Sequence, residues 1–249
     1  MHAAGHHTTR FDAAPATAID RVISSYTPTI RALAHARRAY PATHGNAADG
    51  TAGIAGPMVA VAMPHTPDEK DLPCTETETD WLRRRFPDQV TVLTGPAATH
   101  DAVLAALPYA RWAHFACHGF SDMANPSASR LLLTDHRDLP LTVVDVARLR
   151  LDDAELAFLS ACSTARPGRQ LTGEAIHLAS ALQLAGYRHV VGTLWPIGDR
   201  QAVDIAEDIY TTLTGTGDVA SAVHTATRQL RNTWRDMPSV WASHTHSGA

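Results

Sequence analysis

The sequence predicts an α/β fold: a three-layer α/β/α sandwich around a mostly parallel central sheet. Three observations carry this. Short apolar runs of strand length recur along the chain, as in MVAVAM (58–63), RWAHFAC (111–117), ELAFLSA (155–161) and HVVGTLW (189–195). Segments of helical character separate them, and repeated strand–helix alternation implies parallel strands covered on both faces. The strand runs are mostly apolar and do not alternate, as expected for strands buried on both sides.

The elements follow in chain order. Residues 1–18 are small and polar and are expected to form a disordered tail, leaving 19–249 as the domain. In 19–40 the apolar residues are interrupted by Pro28, so a helix is expected just after it. The stretch 41–57, rich in Gly, Ala and Pro, reads as a flexible loop. After the first strand, TETETDWLRRRF (75–86) reads as a helix, with acids in its first turn and arginines in its last. VTVL (90–93) is a strand, ATHDAVLAAL (98–107) a helix, and LLLTD (131–135) a strand. LTVVDVARL (141–149) is a short helix, and GEAIHLASALQLAG (173–186) a helix ended by glycine. Two further helices are predicted at 199–213 and 218–234, and MPSVWAS (237–243) is taken as a final strand. No repeat of the tetratricopeptide kind is visible.

Bulk properties narrow the function classes. The 249 residues are long enough for a sizeable core, with 45% hydrophobic residues and a net charge of −4. Nothing provides a broad basic surface, so no nucleic-acid partner is expected. The three cysteines, Cys74, Cys117 and Cys162, are odd in number and lack CxxC spacing, which points to a reduced compartment. No apolar run approaches the roughly 20 residues that span a bilayer, and the first residues lack a signal-peptide pattern. A cytoplasmic chain without membrane contact is the expectation.

Open parallel sheets gather functional groups beyond the carboxyl ends of their strands. His118 directly follows the strand 111–117, and Cys162 directly follows the strand 155–161. Both then sit on one edge of the sheet. There an imidazole can take the proton of a thiol and release a nucleophilic thiolate. Gly119 offers a backbone N–H with no side chain to shield it. Together with the N–H of Cys162 it can bind the oxyanion of a tetrahedral intermediate. A lone Cys or a lone His would mean little, since free cysteine is usually a small buried hydrophobe. A pair at neighbouring strand ends is more specific.

HFACHG, LSACSTA and GTLWPIGD resemble the three signature segments of CHAT domains, relatives of the caspases and separases. SYTPTIRAL, the stretch 72–107, GEAIHLASALQLAGYRHVVGTLWPIGD and the PSVWAS ending follow in that family's order. His118 and Cys162 stand in the order of the caspase pair, 44 residues apart. The resemblance implies a caspase-like fold of clan CD type and a cysteine endopeptidase that needs no metal or organic cofactor. Protein or peptide would be its substrate, and a separate sensor protein its activator. Two departures are visible: the family's amino-terminal strand pair is missing, and WASHTHSGA is more polar than the apolar last strand expected.

By the same resemblance, Asp199 matches an acidic position near the pocket for the residue before the scissile bond. There it would select a basic side chain through a charge-assisted hydrogen bond. The competing reading makes Asp199 the N-cap of helix 199–213. Trp195 is read as core or pocket wall, and Trp112 likewise. Glu174 and Asp122 read as solvated surface acids near the cleft. Cys117 should point to the opposite face from His118, into the core.

His114 is four residues before His118, but on a strand that spacing does not make the one-face metal pair of a helix. The 15 histidines include His2, His6, His7, His244 and His246 at termini expected to be loose, without the cysteine partners of a zinc site. Gly168 and Gly173 flank a polar loop with no phosphate-loop pattern, read as a mobile active-site loop. An acyl hydrolase using Ser160 is disfavoured by the absence of a G-x-S-x-G elbow. The second functional class kept open is a catalytically silent CHAT-fold module that signals or assembles through its surface.

Overall fold

The computed structural model describes residues 17–38, 56–120, 122, 124–160 and 174–249, with the side chains of 174–176 outside the description. The chain opens with a 3-10 turn at Ala18–Asp20 and the helix α1 (Ile30–Ala36), whose N-cap Thr29 accepts from the Ala32 N–H. The strand β1 (Met58–Ala62), the helix α2 (Cys74–Arg85) and the strand β2 (Val90–Thr94) follow. Next come α3 (His100–Ala106), β3 (Trp112–Ala116) and a short β4 (Gly119–Phe120). Two more short strands, β5 (Arg130–Leu131) and β6 (Leu141–Thr142), lead into α4 (Val143–Arg148). Then follow β7 (Leu156–Leu159), α5 (Glu174–Ala185), β8 (His189–Thr193), α6 (Asp199–Thr216) and α7 (Val219–Thr233). A single turn, α8 (Pro238–Trp241), and the strand β9 (His244–Ser247) complete the order.

The main sheet has six strands in the order β2-β1-β3-β7-β8-β9. All neighbours run parallel except β9, which pairs antiparallel with β8. Strand alternation sends Val59, Val61, Ala113, Phe115, Ala157 and Leu159 to one face, against Val103 of α3, Val146 of α4 and Leu182 of α5. Met58, Trp112, Leu156 and Phe158 point the other way, against Leu82 of α2, Ile209 of α6 and Val223 of α7. Two apolar layers thus enclose the sheet, and the three-layer sandwich with its mostly parallel sheet is what the structure shows. At the centre of the second layer the Tyr210 ring stacks on Trp112 and on Phe158, with centroids 5.9 and 5.2 Å apart.

Local chemistry sets the element ends. α4 carries a full capping box, in which Thr142 and Asp145 exchange side-chain bonds with each other's backbone N–H. Asp218 caps α7 by accepting from the N–H groups of Ala220 and Ser221. Gly186, which ends α5, adopts φ +134, and a Cβ there would lie 2.1 Å from the Leu151 carbonyl oxygen.

Several expectations are corrected. LLLTD forms only the end of a two-residue strand: Leu131 pairs with Leu141, and the chain then turns through 134–138. MPSVWAS is not a strand. Pro238 has a fixed φ and no N–H, which suits the first turn of a helix, and α8 starts there with Trp241 fully buried. The last strand is the polar segment HTHS, and His244 and His246 are buried in it rather than loose.

Near the other end of the described residues, Thr17 is 2% exposed. Arg231 of α7, also buried, holds Asp20 at 2.7 Å and Thr17 at 3.2 Å. That guanidinium, with the Thr17 hydroxyl, pulls the Asp20 carboxyl down to about 2.

His246 joins three segments. Its Nε2 lies 3.0 Å from Nδ1 of His189 on β8, and its Nδ1 lies 2.7 Å from the Ser25 hydroxyl. Tyr26 bridges Ser247 beside it. Burial, with His189 alongside, holds the His246 imidazole down to about 3, against a smaller opposing pull from Asp218. Burial alone holds His244 down to about 4.

Both side chains bind a proton more weakly folded than unfolded, so the unfolded chain takes up protons first as pH falls below about 6.5. Stability should therefore decline from about pH 6.5 toward pH 4, by up to ~1.4 kcal/mol per pH unit for each titrating histidine. Urea unfolding across that range checks this, and the double variant His244→Asn with His246→Asn should flatten the slope.

Candidate active site

The loops after β1 and β3 meet beyond the carboxyl ends of their strands. The β1 loop, residues 63–73, is fastened at several points. Met63 N–H donates to the Ala116 carbonyl (3.0 Å), Leu72 N–H to that of Pro64 (2.9 Å), and Asp68 pairs with Arg137. Its Lys70 carbonyl lies 2.6 Å from Nε2 of His118.

A carbonyl only accepts, so Nε2 is the nitrogen that carries hydrogen. In the neutral ring the free lone pair is then on Nδ1. His118 itself is 5% exposed. Its own carbonyl accepts from Leu132 N–H at 2.8 Å, and Gly119 pairs with Leu131 in the small antiparallel sheet β4-β5-β6. His118 and Gly119 are therefore both held by backbone hydrogen bonds to β5 and its continuation. The Lys70 carbonyl was invisible to sequence reasoning, because a backbone acceptor leaves no residue signature.

Cys162, the predicted nucleophile, lies outside the described residues, as do Gly168, Gly173, His2, His6 and His7. The helix α5 begins at Glu174, whose side chain is not described. Phe115 of β3 pairs with Leu159 of β7. His118 stands three positions after the first, and Cys162 three after the second. Cys117 is fully buried in the layer of α3, α4 and α5, on the face expected for it. Ser160 is also fully buried, out of reach of any substrate.

Asp199 is half-buried at the first residue of α6, with Gly198 as that helix's N-cap. It does not cap its own helix. Its Oδ2 accepts from the N–H of Cys74, the first residue of α2, at 2.8 Å. The capping alternative is thus corrected to a neighbouring helix. The same carboxylate pushes the Cys74 thiol up, first through a side-chain hydrogen bond and further through its charge and burial.

Trp195 donates its indole N–H to the Ser239 carbonyl at 2.7 Å, which fixes the ring on the segment before β9. Asp122 accepts from the N–H groups of Ala124 and Asn125, shaping the turn after β4. Trp112 is core. Among the described residues, no group of three or more His, Cys, Asp or Glu is arranged to hold a metal ion, and no helix is long and apolar enough to cross a membrane.

Solved structures share this architecture. Saccharomyces cerevisiae separase, in complex with securin, superposes with a TM-score of 0.50 at 13% identity over 78% of this chain. A second separase–securin crystal structure gives 0.50 at 14% identity over 76%. The complex of the Porphyromonas gingivalis RgpB pro- and mature domains gives 0.48 at 12% identity over 80%. This chain spans only 12% and 11% of the two separase chains and 47% of the RgpB chain, and the likeness to separase is one of caspase-like fold. No curated protein sequence matches the chain. The sequence model of the CHAT domain matches residues 6–249, nearly the whole length: the chain belongs to the CHAT domain family.

Proposed function

We propose that this CHAT domain is a cysteine endopeptidase in which Cys162 is the nucleophile and His118 the base. The observation that carries the reading is the state of His118. Its Nε2 is committed to the Lys70 carbonyl at 2.6 Å, which leaves Nδ1 basic at the strand end whose register partner leads to Cys162. Nδ1 takes the thiol proton, and the thiolate sulfur bonds to the substrate carbonyl carbon. The N–H groups of Gly119 and Cys162 receive the negative oxygen. As the intermediate collapses, the peptide C–N bond breaks and the imidazolium returns its proton to the departing amine. Water, deprotonated by the same imidazole, then releases the acyl group from sulfur and regenerates the thiol. No step calls on a metal or organic cofactor.

Asp199 is assigned to the substrate pocket with Trp195 as a wall, selecting Arg or Lys before the cleaved bond. Both stand beyond β8, on the edge that carries His118. Control by a second protein is part of the proposal, supported by a separase neighbour whose structure was solved bound to securin.

An alkylating probe should label Cys162 much faster than Cys74, whose thiol is pushed up by the Asp199 carboxylate. Cys162→Ala should abolish cleavage of a peptide library, and His118→Ala should lower kcat by about 10²–10⁴-fold. Equal labelling of the two thiols, with no cleavage by the wild type alone or with candidate activators, would favour a silent signalling or assembly module instead.

For Asp199, two variants separate the pocket from the cap. Asp199→Asn keeps an acceptor for Cys74 N–H and should retain Tm while losing the preference for Arg and Lys. Asp199→Ala should lose both the preference and ~1 kcal/mol of stability. An unchanged cleavage profile in Asp199→Asn would remove Asp199 from the pocket.

A further inference from the structure

The geometry points to Glu78 as a positioning residue that ties the end of the β7 strand line from beneath, through Ser160. This rests on the peptidase reading for what is being positioned, and on buried geometry for how. Glu78 lies in α2, 2% exposed. The Ser160 hydroxyl, two residues before Cys162, donates to its Oε1 at 2.5 Å. Nε2 of His114, four residues before His118, stands 3.1 Å from the same oxygen, out of line for a hydrogen bond. The other nitrogen of His114, Nδ1, is 3.0 Å from the Tyr210 hydroxyl. Ser160 and His114 are both fully buried. The cluster is therefore no second active site, although it joins a serine, a histidine and an acid.

Position gives these contacts their meaning. Leu156, Phe158 and Ser160 share one face of the β7 line, and Trp112 and His114 share that face of β3. Ser160 N–H donates to the Phe115 carbonyl at 3.0 Å, one step beyond the Phe115–Leu159 pair. Among the described residues the Ser160 hydroxyl is the lateral tie nearest Cys162 in sequence. A carboxylate in this aromatic layer is costly to bury, and an apolar residue would avoid that cost.

The same helix has two further ties to the site. Its first N–H is held by Asp199 at 2.8 Å, and the loop that enters it presents the Lys70 carbonyl to His118. Nucleophile strand and base tautomer both take their reference from one rigid helix. Misplacement of a reacting group by about 1 Å can cost about 10²-fold in rate. That is the term Glu78 controls.

Ser160→Ala is the sharp test, because it deletes one oxygen and leaves the fold's apolar layers intact. It should lower kcat about tenfold or more with KM within about twofold of wild type and an unchanged Tm. Glu78→Gln keeps an acceptor oxygen for Ser160 and should retain activity within about threefold, whereas Glu78→Ala should not. Unchanged kcat in a folded Ser160→Ala, or losses in all three variants that merely track the unfolded fraction, would overturn the assignment.

A readout independent of activity keeps this separate from the peptidase reading. The amide at position 160 should exchange with solvent about tenfold faster in Ser160→Ala, while Val190 and Val191 on β8 stay protected. If the wild type cleaves nothing, the peptidase reading falls. Faster exchange would still support the tie, and equal exchange would sink it.

Discussion

The parallel pairing of β3 with β7 is the constraint on which the rest depends. It is made of backbone hydrogen bonds between Trp112–Phe115 and Leu156–Leu159, and the strands carry apolar side chains on both faces. Parallel strands must be connected by crossovers, so helices cover both faces and the loops after the strands gather at one edge. The antiparallel β9 closes the β8 side of the sheet without disturbing that edge. His118 therefore owes its place to ladder geometry first and to its own hydrogen bonds second.

Upon that frame the second apolar layer carries unusual polar content. An aromatic cluster centred on Tyr210 surrounds His114 and Glu78, and its stacking is continuous from Trp112 to Phe158. Burial and the nearby Glu78 charge both push the Tyr210 phenol up, so it remains a neutral hydroxyl across the ordinary pH range. The layer is thus at once the packing core for α2, α6 and α7 and the seat of a hydrogen-bonded group at the strand ends. Packing and polar satisfaction meet in the same few residues.

Much of this could be read from local pattern. Strands such as MVAVAM and ELAFLSA are mostly apolar, the mark of burial on both faces, and His118 follows directly on the strand run RWAHFAC. What escaped the sequence was non-local or carried no side-chain signature. Glu78 looks like one of several acids in TETETD, and its partner Ser160 is 82 residues away. The cap reading of Asp199 looks to its own helix, whereas the helix whose first N–H it holds begins 125 residues earlier. The final strand was misplaced because polarity was taken for exposure. HTHS alternates with period two, its histidines turned inward, and that alternation was the available signal.

The tie between His118 and the Lys70 carbonyl has a consequence for how such a base can vary. A carboxylate in that role could be lost by a single substitution, but a carbonyl belongs to every residue that position 70 might hold. The orientation of the imidazole is thus insulated from side-chain change and sensitive only to displacement of the chain. Loop 63–73 enters α2, and its anchors reach to β3 through Met63 and to Arg137 through Asp68. Whatever shifts those anchors acts on the proton of His118 as a mechanical input.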